Sequence, residues 1–491
     1  MTQFGTRITK SVFKCCSPKL RIGLLQAQQA VREAGVPVLI LVSGVDGAGK
    51  GDTVNVLNEW MDPRDLRTFA FGEKSDEERD RPEYWRYWRA LPQKGSIGLY
   101  VGSWYSDPIA HRVKGDITDA ALGARLARIR GFEKTLADDG ALIIKFWLHL
   151  SKKDQKKRLK TLESHPDTAW RVTRQDKEHL KLYDRFYSIA EHVLHETSTD
   201  EAPWTLVEGA DERYRRLRVG EHILDRIEQH LASHRHSKSP PVEQPHHRPV
   251  ASSAHNRLDQ LQLNKHLPKK TYKAELQRYQ GLLGRLTRAA REKRVSSILV
   301  FEGWDAGGKG GVIRRMVKPM DARNYRVISV GAPSDEERAR HYLWRFWQHI
   351  PRAGAVTIYD RSWYGRVLVE RIEGFAQRDE WMRAYAEIND FEEQLAEFGT
   401  VIVKYWLHIS KEEQWHRFQK REKVAWKQYK ITEEDYRNRE KWDAYTHAVA
   451  DMVERTSTTY APWTLVEGNN KRYARIKALR LYCERLEKAL D

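Results

Sequence analysis

The chain has 491 residues, of which 86 are Lys or Arg and 68 are Asp or Glu, so its formal net charge is +18. This length exceeds what one hydrophobic core supports and predicts two domains, while the positive charge predicts a polyanionic partner: nucleic acid, inorganic polyphosphate or a membrane surface. Three cysteines exclude a disulfide framework, and neither a signal-peptide core nor a bilayer-spanning apolar run occurs, so we expect a cytoplasmic protein with no membrane partner.

The beginning of the chain shows a strand and a helix joined by a glycine-rich turn. We predict a helix over residues 20–33 and then a buried strand from the apolar run at 38–42. The turn after this strand contains Asp46 and Lys50, and a second helix follows it to about Trp60. This order of elements is typical of an α/β domain.

A capping-box pattern begins the next helix. Ser75 precedes Glu78 by three residues, the spacing at which each side chain accepts a hydrogen bond from the backbone N–H of the other. We predict one continuous helix over residues 75–90 and an equivalent helix over residues 334–349. Their aromatic residues are interpreted as core packing rather than as a platform for stacking bases.

The chain contains two long repeats. The offset that relates Asp46 to Asp305 also relates Lys50 to Lys309, and it aligns further motifs without gaps. These motifs are Ser-Asp-Glu-Glu-Arg at 75–79 and 334–338, Ser-Trp-Tyr at 103–105 and 362–364, and Ala-Pro-Trp-Thr-Leu-Val-Glu-Gly at 202–209 and 461–468. Agreement over this length indicates duplication of a whole domain rather than a short solenoid repeat.

The second repeat has a glycine-rich loop between an apolar strand and a helix. Gly303, Gly308 and Lys309 have the spacing of the GxxxxGK phosphate-binding loop, in which backbone N–H groups, the helix N-terminus and the lysine surround phosphate oxygens. Gly310 stands where this loop usually has a magnesium-binding Ser or Thr, so we expect Asp305 to supply a metal ligand instead. The alternative is a glycine-rich turn that binds no ligand.

Strands and helices alternate through both repeats. Buried strands at 143–148 and 401–407 are each followed by a basic helix, and strands at 205–207 and 464–466 precede the last helix of each repeat. We predict an α/β fold of two tandem P-loop kinase-like domains, each a parallel sheet with helices on both faces and a helical lid. The predicted boundaries are 1–231, 232–262 for a linker rich in His, Pro and Ser, and 263–491.

Only the second repeat has charged residues at the end of the strand before its Ser-Trp-Tyr motif. That strand ends in Asp360, where P-loop enzymes hold Mg²⁺, and Arg361 can neutralise a phosphoryl group during transfer. The first repeat has Val101 and Gly102 at these positions. We therefore predict a catalytic C-terminal domain and a degenerate N-terminal domain that retains the loop aspartate and lysine.

A basic helix follows the late strand of the second repeat. Arg417 and Arg421 are four residues apart and share one helix face, and Lys430 follows them. In nucleotide kinases such a helical lid closes over the phosphates, so we predict that these three residues bind phosphate. The alternative is a solvated basic face. The first repeat has Leu162 in place of Arg421, so its lid is poorer.

Together these motifs resemble those of the polyphosphate kinase 2 family. The resemblance rests on Gly-Trp-Asp-Ala-Gly-Gly-Lys-Gly at 303–310, Asp-Arg-Ser-Trp-Tyr-Gly-Arg at 360–366, Val-Glu-Arg at 369–371, Leu-His-Ile-Ser-Lys-Glu-Glu-Gln at 407–414, Glu-Arg-Thr-Ser-Thr at 454–458, Ala-Pro-Trp-Thr at 461–464 and Lys-Arg-Tyr-Ala-Arg at 471–475. The tandem arrangement and Gly365 resemble the fused two-domain class, which forms ADP from AMP. The resemblance covers nearly the whole chain outside the linker.

The resemblance implies a P-loop kinase fold, inorganic polyphosphate as donor, a nucleotide (AMP, giving ADP) as acceptor, dependence on Mg²⁺ and a homo-oligomer. By position it assigns Asp305 and Asp360 to binding magnesium and orienting the acceptor. It assigns Lys309 and Arg361 to phosphate contacts. The lid roles go to Arg417, Arg421 and Lys430.

The residues themselves leave alternatives open. One is an ATP-dependent nucleotide kinase of thymidylate-kinase type, which has the same loop and lid, and another is transfer from polyphosphate to ADP or GDP. A third is a nucleic-acid-binding protein that uses the basic surface, although the sequence has no helix-turn-helix, zinc or ribonucleoprotein motif, so we expect no nucleic-acid partner. A long anionic donor explains the positive charge better than ATP does, because one nucleotide needs only a few cations.

Overall fold

The computed structural model describes residues 6–170, 172–237, 255–425 and 431–491. The chain divides into two compact units. The first unit comprises Met1–Lys74, Arg86–Gln244 and Asp335–His341, and the second comprises Ser75–Trp85, Pro245–Ser334 and Tyr342–Asp491. The contiguous boundaries at 231 and 263 stay a prediction.

The first unit is built on a five-stranded parallel sheet in the order β2-β3-β1-β4-β5. Its strands are β1 (Val38–Gly44), β2 (Leu66–Ala70), β3 (Ile97–Val101), β4 (Leu142–His149) and β5 (Trp204–Glu208). The central strands β1 and β4 are mostly apolar, with Lys145 as the charged residue within β4, because helices cover both faces of a parallel sheet.

The second unit repeats this sheet in the order β7-β8-β6-β9-β10, and all neighbouring strands are again parallel. Its strands are β6 (Ser297–Gly303), β7 (Tyr325–Ser329), β8 (Val356–Asp360), β9 (Val401–His408) and β10 (Trp463–Glu467). Phe301 of β6 pairs with Asp360 of β8, and Gly303 pairs with Leu407 of β9. This register brings the ends of β6 and β8 together at the carboxyl edge of the sheet.

The helices alternate with these strands. In the first repeat they are α1 (Lys10–Ala34), α2 (Lys50–Trp60), α3 (Asp76–Arg79), α4 (Trp85–Arg89), α5 (Ser106–Lys114), α6 (Asp119–Asp138), α7 (Lys152–Ser164), α8 (Pro166–Ala169), α9 (Arg174–Lys181), α10 (Tyr183–Thr197) and α11 (Glu212–Ser237). In the second repeat they are α12 (His255–Asp259), α13 (Lys269–Glu292), α14 (Lys309–Val317), α15 (Asp335–Arg338), α16 (Trp344–Trp347), α17 (Val369–Glu373), α18 (Arg378–Glu397), α19 (Lys411–Glu422), α20 (Glu433–Glu440), α21 (Trp442–Thr456) and α22 (Lys471–Leu490). Among the described helices, none is long and apolar enough to cross a bilayer.

A buried ion pair holds the core of each unit. In the second unit Lys404 Nζ donates to Glu392 Oε2 (2.7 Å) and to Tyr364 Oη (2.8 Å), and both charged side chains are fully buried. Trp363 Nε1 and Tyr364 Oη donate to the other oxygen of Glu392. The first unit repeats the arrangement with Lys145 and Glu133 at 2.7 Å. The repeated Ser-Trp-Tyr motif therefore stabilises the core.

The predicted α/β class and the two parallel sheets are confirmed. The prediction of one helix over residues 75–90 is wrong, because the chain forms two short helices, α3 and α4, with Pro82 in the break between them, where it cannot donate a backbone hydrogen bond. The equivalent segment at 334–349 is also split. Two strands were not predicted, β2 and β7, since each lies at a sheet edge and is half exposed.

Candidate active site

The loop after β6 is shaped for close approach of its backbone to neighbouring groups. Gly303 has φ 146°, and a Cβ added there would lie 2.5 Å from the carbonyl oxygen of Leu407. Gly308, the N-cap of α14, has φ 112°, a left-handed backbone conformation that favours glycine. The first turn of α14 then presents backbone N–H groups that have no intrahelical acceptors. This is the geometry of an anion-binding helix N-terminus.

Lys309 lies over this loop. Its Nζ donates to the carbonyl oxygen of Gly303 at 2.6 Å, and Lys50 donates to that of Gly44 at 2.8 Å in the first repeat. The predicted loop lysine is therefore held in the same place in both units. Phosphate oxygens that enter the loop can replace these carbonyls as acceptors.

Asp360 ends β8 beside the loop. A Cβ added to Gly310 would lie 3.9 Å from Asp360 Oδ2, so this carboxylate faces the first turn of α14. The lack of a side chain at Gly310 leaves room for a ligand between them. Within the described ranges, the Asp360 side chain has no hydrogen-bond or ion-pair partner. The carboxylate is thus available to an incoming cation.

Arg361 follows in an unusual backbone conformation. Its φ is 65°, in the left-handed region, and its backbone N–H donates to the carbonyl oxygen of Phe301. Its guanidinium donates to Asp305 Oδ1 at 2.9 Å and lies 3.7 Å from Glu434 Oε1. Strained dihedrals of non-glycine residues concentrate at functional sites. The structure therefore brings Arg361 and Asp305 into contact, and the shared metal site of Asp305 and Asp360 stays a prediction.

Asp305 belongs to a hydrogen-bond network that the sequence analysis missed. Asn438 of α20 donates from Nδ2 to Asp305 Oδ2 at 3.0 Å, and Tyr445 of α21 donates to Asn438 Oδ1 at 3.2 Å. Gln414 of α19 donates to the Asp305 carbonyl oxygen at 3.2 Å. These partners come from helices more than a hundred residues later in the chain, and no local pattern signals them.

Glu302 is a second residue that the sequence analysis missed. It is 5% exposed, and burial raises the pKa of its carboxyl although the charge of Lys309 opposes the shift. Ser362 donates to Glu302 Oε1 at 2.8 Å. The first repeat has Ser43 at this position. The appearance of a glutamate in place of this serine, at the end of an otherwise apolar strand, could have identified Glu302 from the sequence. A buried carboxylate beside a phosphate loop favours nearby cations.

The residues present fit a magnesium ion. Among the described residues no group of three or more His, Cys, Asp or Glu side chains could hold a metal. Mg²⁺ does not require one, because it is commonly bound by one or two carboxylates together with water and substrate phosphates. Asp360 has both carboxylate oxygens available. The side-chain oxygens of Asp305 accept hydrogen bonds from Arg361 and Asn438.

The predicted lid residues differ in their placement. Arg417 and Arg421 lie on α19, but Arg417 is only 3% exposed and donates to four backbone carbonyls. These acceptors are Ala306, Gly307, Gly468 and Asn469, at 2.6 to 3.0 Å. Arg417 thus fastens α19 to the phosphate loop, and its contact with a bound phosphate stays a prediction. Lys430 lies outside the described residues.

Additional cations surround the start of α14. A Cβ added to Gly311 would lie 3.5 Å from Arg475 Nη2 of α22. Desolvation and the positive charge of Arg417 lower the pKa of Lys471 to about 8. Arg421 contributes to the same effect. A cluster of cations at the N-terminus of a helix favours an anion of high charge.

The first unit retains the loop but has no charged counterparts of Glu302, Asp360 and Arg361. Asp46 accepts hydrogen bonds from Lys50 Nζ at 3.2 Å and from His179 Nδ1 at 2.6 Å. Burial opposes ionisation of Asp46, yet His179 and Lys50 outweigh it and hold the pKa of Asp46 below its usual value. His179 occupies the position of Asn438 in the second repeat. Val101 and Gly102 provide neither a metal ligand nor a cation.

The parallel sheets, the glycine-rich loop and the carboxylate at the end of the neighbouring strand define a P-loop phosphotransferase class of protein. The model of the family Polyphosphate kinase 2 matches residues 8–235 and 266–490, so the chain belongs to the polyphosphate kinase 2 family. This confirms the predicted family.

Similar proteins cover both repeats. The chain is 51% identical to a Polyphosphate:AMP phosphotransferase of Pseudomonas aeruginosa, over 99% of this chain and 98% of that one. It is 36% identical to a Polyphosphate:AMP phosphotransferase of Acinetobacter johnsonii, over 96% and 97%. A crystal structure of a putative polyphosphate kinase 2 from P. aeruginosa superposes with a TM-score of 0.89 at 48% identity, covering 99% of this chain and 98% of that chain.

Proposed function

We propose that the second unit transfers a phosphoryl group from inorganic polyphosphate to AMP and forms ADP. The observation that carries this proposal is the placement of Asp360 and Arg361 beside the phosphate loop, which the first unit lacks. The names of the full-length relatives support the same donor and acceptor. Phosphoryl transfer needs positioning and charge stabilisation rather than a covalent nucleophile, and these residues supply both.

Each group has a defined role in the proposed reaction. The loop N–H groups and Lys309 hold phosphate oxygens, and Arg361 donates to the oxygens of the phosphoryl group as it moves between donor and acceptor. Asp360 and Asp305 are the residues that would hold Mg²⁺, which when bound would neutralise charge on the phosphates. Glu302 and Asn438 act through their neighbours, because they fix the side chains around Asp305 and Arg361.

The donor is proposed to be a long polyanion because cations extend beyond the loop. Lys471, Arg475 and Arg421 lie past the start of α14, where one nucleotide phosphate has no need of three further cations. We further propose that the enzyme acts in the cytoplasm as a homo-oligomer that binds no nucleic acid.

The experiment is to incubate the full chain with AMP, polyphosphate and Mg²⁺ without ATP and to measure ADP by chromatography. We expect ADP formation that requires polyphosphate. Replacement of polyphosphate by ATP and of AMP by ADP or GDP tests donor and acceptor in the same assay. If ADP appears with ATP but not with polyphosphate, the proposed donor is wrong.

A further inference from the structure

The first unit has a large cavity at the carboxyl edge of its sheet. Its volume is about 810 Å³, and it contains the phosphate-loop residues Asp46 and Lys50. The equivalent cavity of the second unit, beside Asp305, measures about 70 Å³. A volume of several hundred Å³ is typical of sites for small organic ligands. The unit that lacks the charged groups for transfer therefore has the larger space beside its loop.

The difference in volume has a clear origin. In the second unit Trp304 stacks on Trp442 with ring centroids 3.6 Å apart and an interplanar angle of 8°. The first repeat has Val45 and Tyr183 at these positions, and both line its cavity. The smaller valine leaves open the space that the tryptophan pair fills in the second unit.

One wall of the cavity is apolar and suits a flat ring. Ile109 and Val113 of α5 form one part of it. Trp147 and Phe186 form another, with ring centroids 5.8 Å apart and an interplanar angle of 23°. An aromatic base placed here would bury its faces against aromatic and branched side chains, which stabilises it through apolar burial and stacking.

The opposite end of the cavity is polar and suits a phosphate. The N-terminus of α2 and Lys50 lie there, and His179 donates to Asp46 beside them. The ion pair with Asp46 raises the pKa of His179, so the imidazole favours a positive charge close to this end. A phosphate in the loop would gain backbone N–H donors and at least one cation.

Cations and carboxylates line the cavity in nearly equal numbers. The cations are Lys50, Lys114, Arg174 and the His179 imidazole that is paired with Asp46, and the carboxylates are Asp46, Glu73 and Glu178. A polyanion would meet three repelling carboxylates here, whereas a ligand with one phosphate and an apolar body would find a partner for each part. The mixture of charges distinguishes this cavity from the cation-rich site of the second unit.

We propose that the first unit binds a nucleoside monophosphate in this cavity without transferring a phosphoryl group to it. The base would lie against the Trp147 and Phe186 wall and the phosphate in the loop at Lys50. Transfer is absent because Val101 and Gly102 stand where the second unit has Asp360 and Arg361. The inference goes beyond the proposed function, and only the choice of AMP as the probe rests on it.

The test counts AMP molecules bound per full-length chain by equilibrium dialysis with radiolabelled AMP, without polyphosphate. The variant Val45→Trp places the side chain of the second unit in the cavity, and Ile109→Trp fills it from the other wall. We expect each variant to bind one AMP fewer per chain than the unmodified protein. Circular dichroism checks that each variant folds. If one variant does not fold, the AMP stoichiometry of the other variant decides the test.

The control variant is Leu25→Trp on the exposed face of α1, which adds the same side chain away from the cavity and should leave the stoichiometry unchanged. An unchanged stoichiometry in both filled variants would overturn the proposal. So would loss of AMP from the cavity in competition with tripolyphosphate at equal concentration, because that result would identify a polyanion site. ADP formation is not measured, so failure here is distinct from failure of the proposed function.

Discussion

Arg361 and Gly102 occupy the same position in the two repeats and share a left-handed backbone, with φ values of 65° and 71°. In the first unit a glycine adopts this conformation without cost. In the second unit an arginine adopts it, at a cost on the order of 1 kcal/mol for a residue with a Cβ. The second unit thus retains backbone strain at the residue whose guanidinium contacts Asp305, which agrees with the role proposed for Arg361.

Replacement of Arg361 by glycine and by alanine separates the strain from the charge. Both variants remove the guanidinium, so each should lose activity by about 100- to 1,000-fold. Arg361→Gly should nevertheless be more stable than Arg361→Ala by about 1 kcal/mol, because only glycine relieves the strained dihedral. Urea unfolding followed by circular dichroism measures the stabilities, and ADP formation measures the activity.

The matched control is Gly102→Ala in the first unit. It introduces the strain where no charge is present, and its Cβ would lie 2.7 Å from the carbonyl oxygen of Phe71. We expect a loss of about 1–3 kcal/mol of stability with no change in kcat of the folded protein. Equal stability of the two Arg361 variants would contradict the assignment of strain to this position.

Asp360→Asn tests the proposed metal ligand. The amide keeps the size of the side chain but removes the negative charge that a magnesium ion requires, so we expect a fall in kcat of at least about 100-fold. Isothermal titration with Mg²⁺ in the presence of AMP should show weaker binding. Val101→Asn, which places the same residue at the equivalent strand end of the first unit, should leave the rate of ADP formation unchanged. Full activity of Asp360→Asn would remove this residue from the mechanism.

The lowered pKa of Lys471 predicts that the use of polyphosphate depends on pH. Desolvation and Arg417 lower the pKa of its ammonium group to about 8, so the lysine is charged below this pH and becomes neutral as the pH rises through it. The kcat/KM for polyphosphate should therefore fall above about pH 8, since this parameter reports ionisations of the free enzyme.

Lys471→Arg is the diagnostic variant for this pH dependence. Arginine stays protonated in this range, so the decline should move to higher pH. Lys488→Arg, at the far end of α22, is the control and should keep the profile of the unmodified protein. The same alkaline decline in Lys471→Arg as in the unmodified protein would show that another group titrates.

Lys404→Met tests the buried ion pair. The methionine fills a similar volume but leaves Glu392 charged and buried without its cation, so the variant should lose about 3–5 kcal/mol of unfolding free energy. Lys145→Met should cost a similar amount in the first unit, because its surroundings are the same. Urea unfolding of both variants measures this. A loss below about 1 kcal/mol in either would contradict the structural role given to the pair.

The motifs that repeat most closely along the chain proved to be the least informative about catalysis. Ser-Trp-Tyr is present in both units because Trp363 and Tyr364 hold the buried Glu392, as Trp104 and Tyr105 hold Glu133. The informative positions were those at which the repeats differ. The second repeat has Asp360 where the first repeat has Val101, and this difference indicated which unit has charged groups at the strand end. An alignment of the two repeats with each other was enough to find it.

The sequence by itself determined the duplication, the central strands, the phosphate loop and the charged strand end at Asp360, because each depends on residues close together in the chain. Only the tertiary structure decided that Asn438 and Glu434 reach Asp305 and Arg361, or that Arg417 is buried against loop carbonyls. It also decided which unit has room beside its loop. The physical reason is that such contacts arise when helices pack on the ends of the strands, and side-chain volume and hydrogen-bond geometry there do not depend on local sequence pattern.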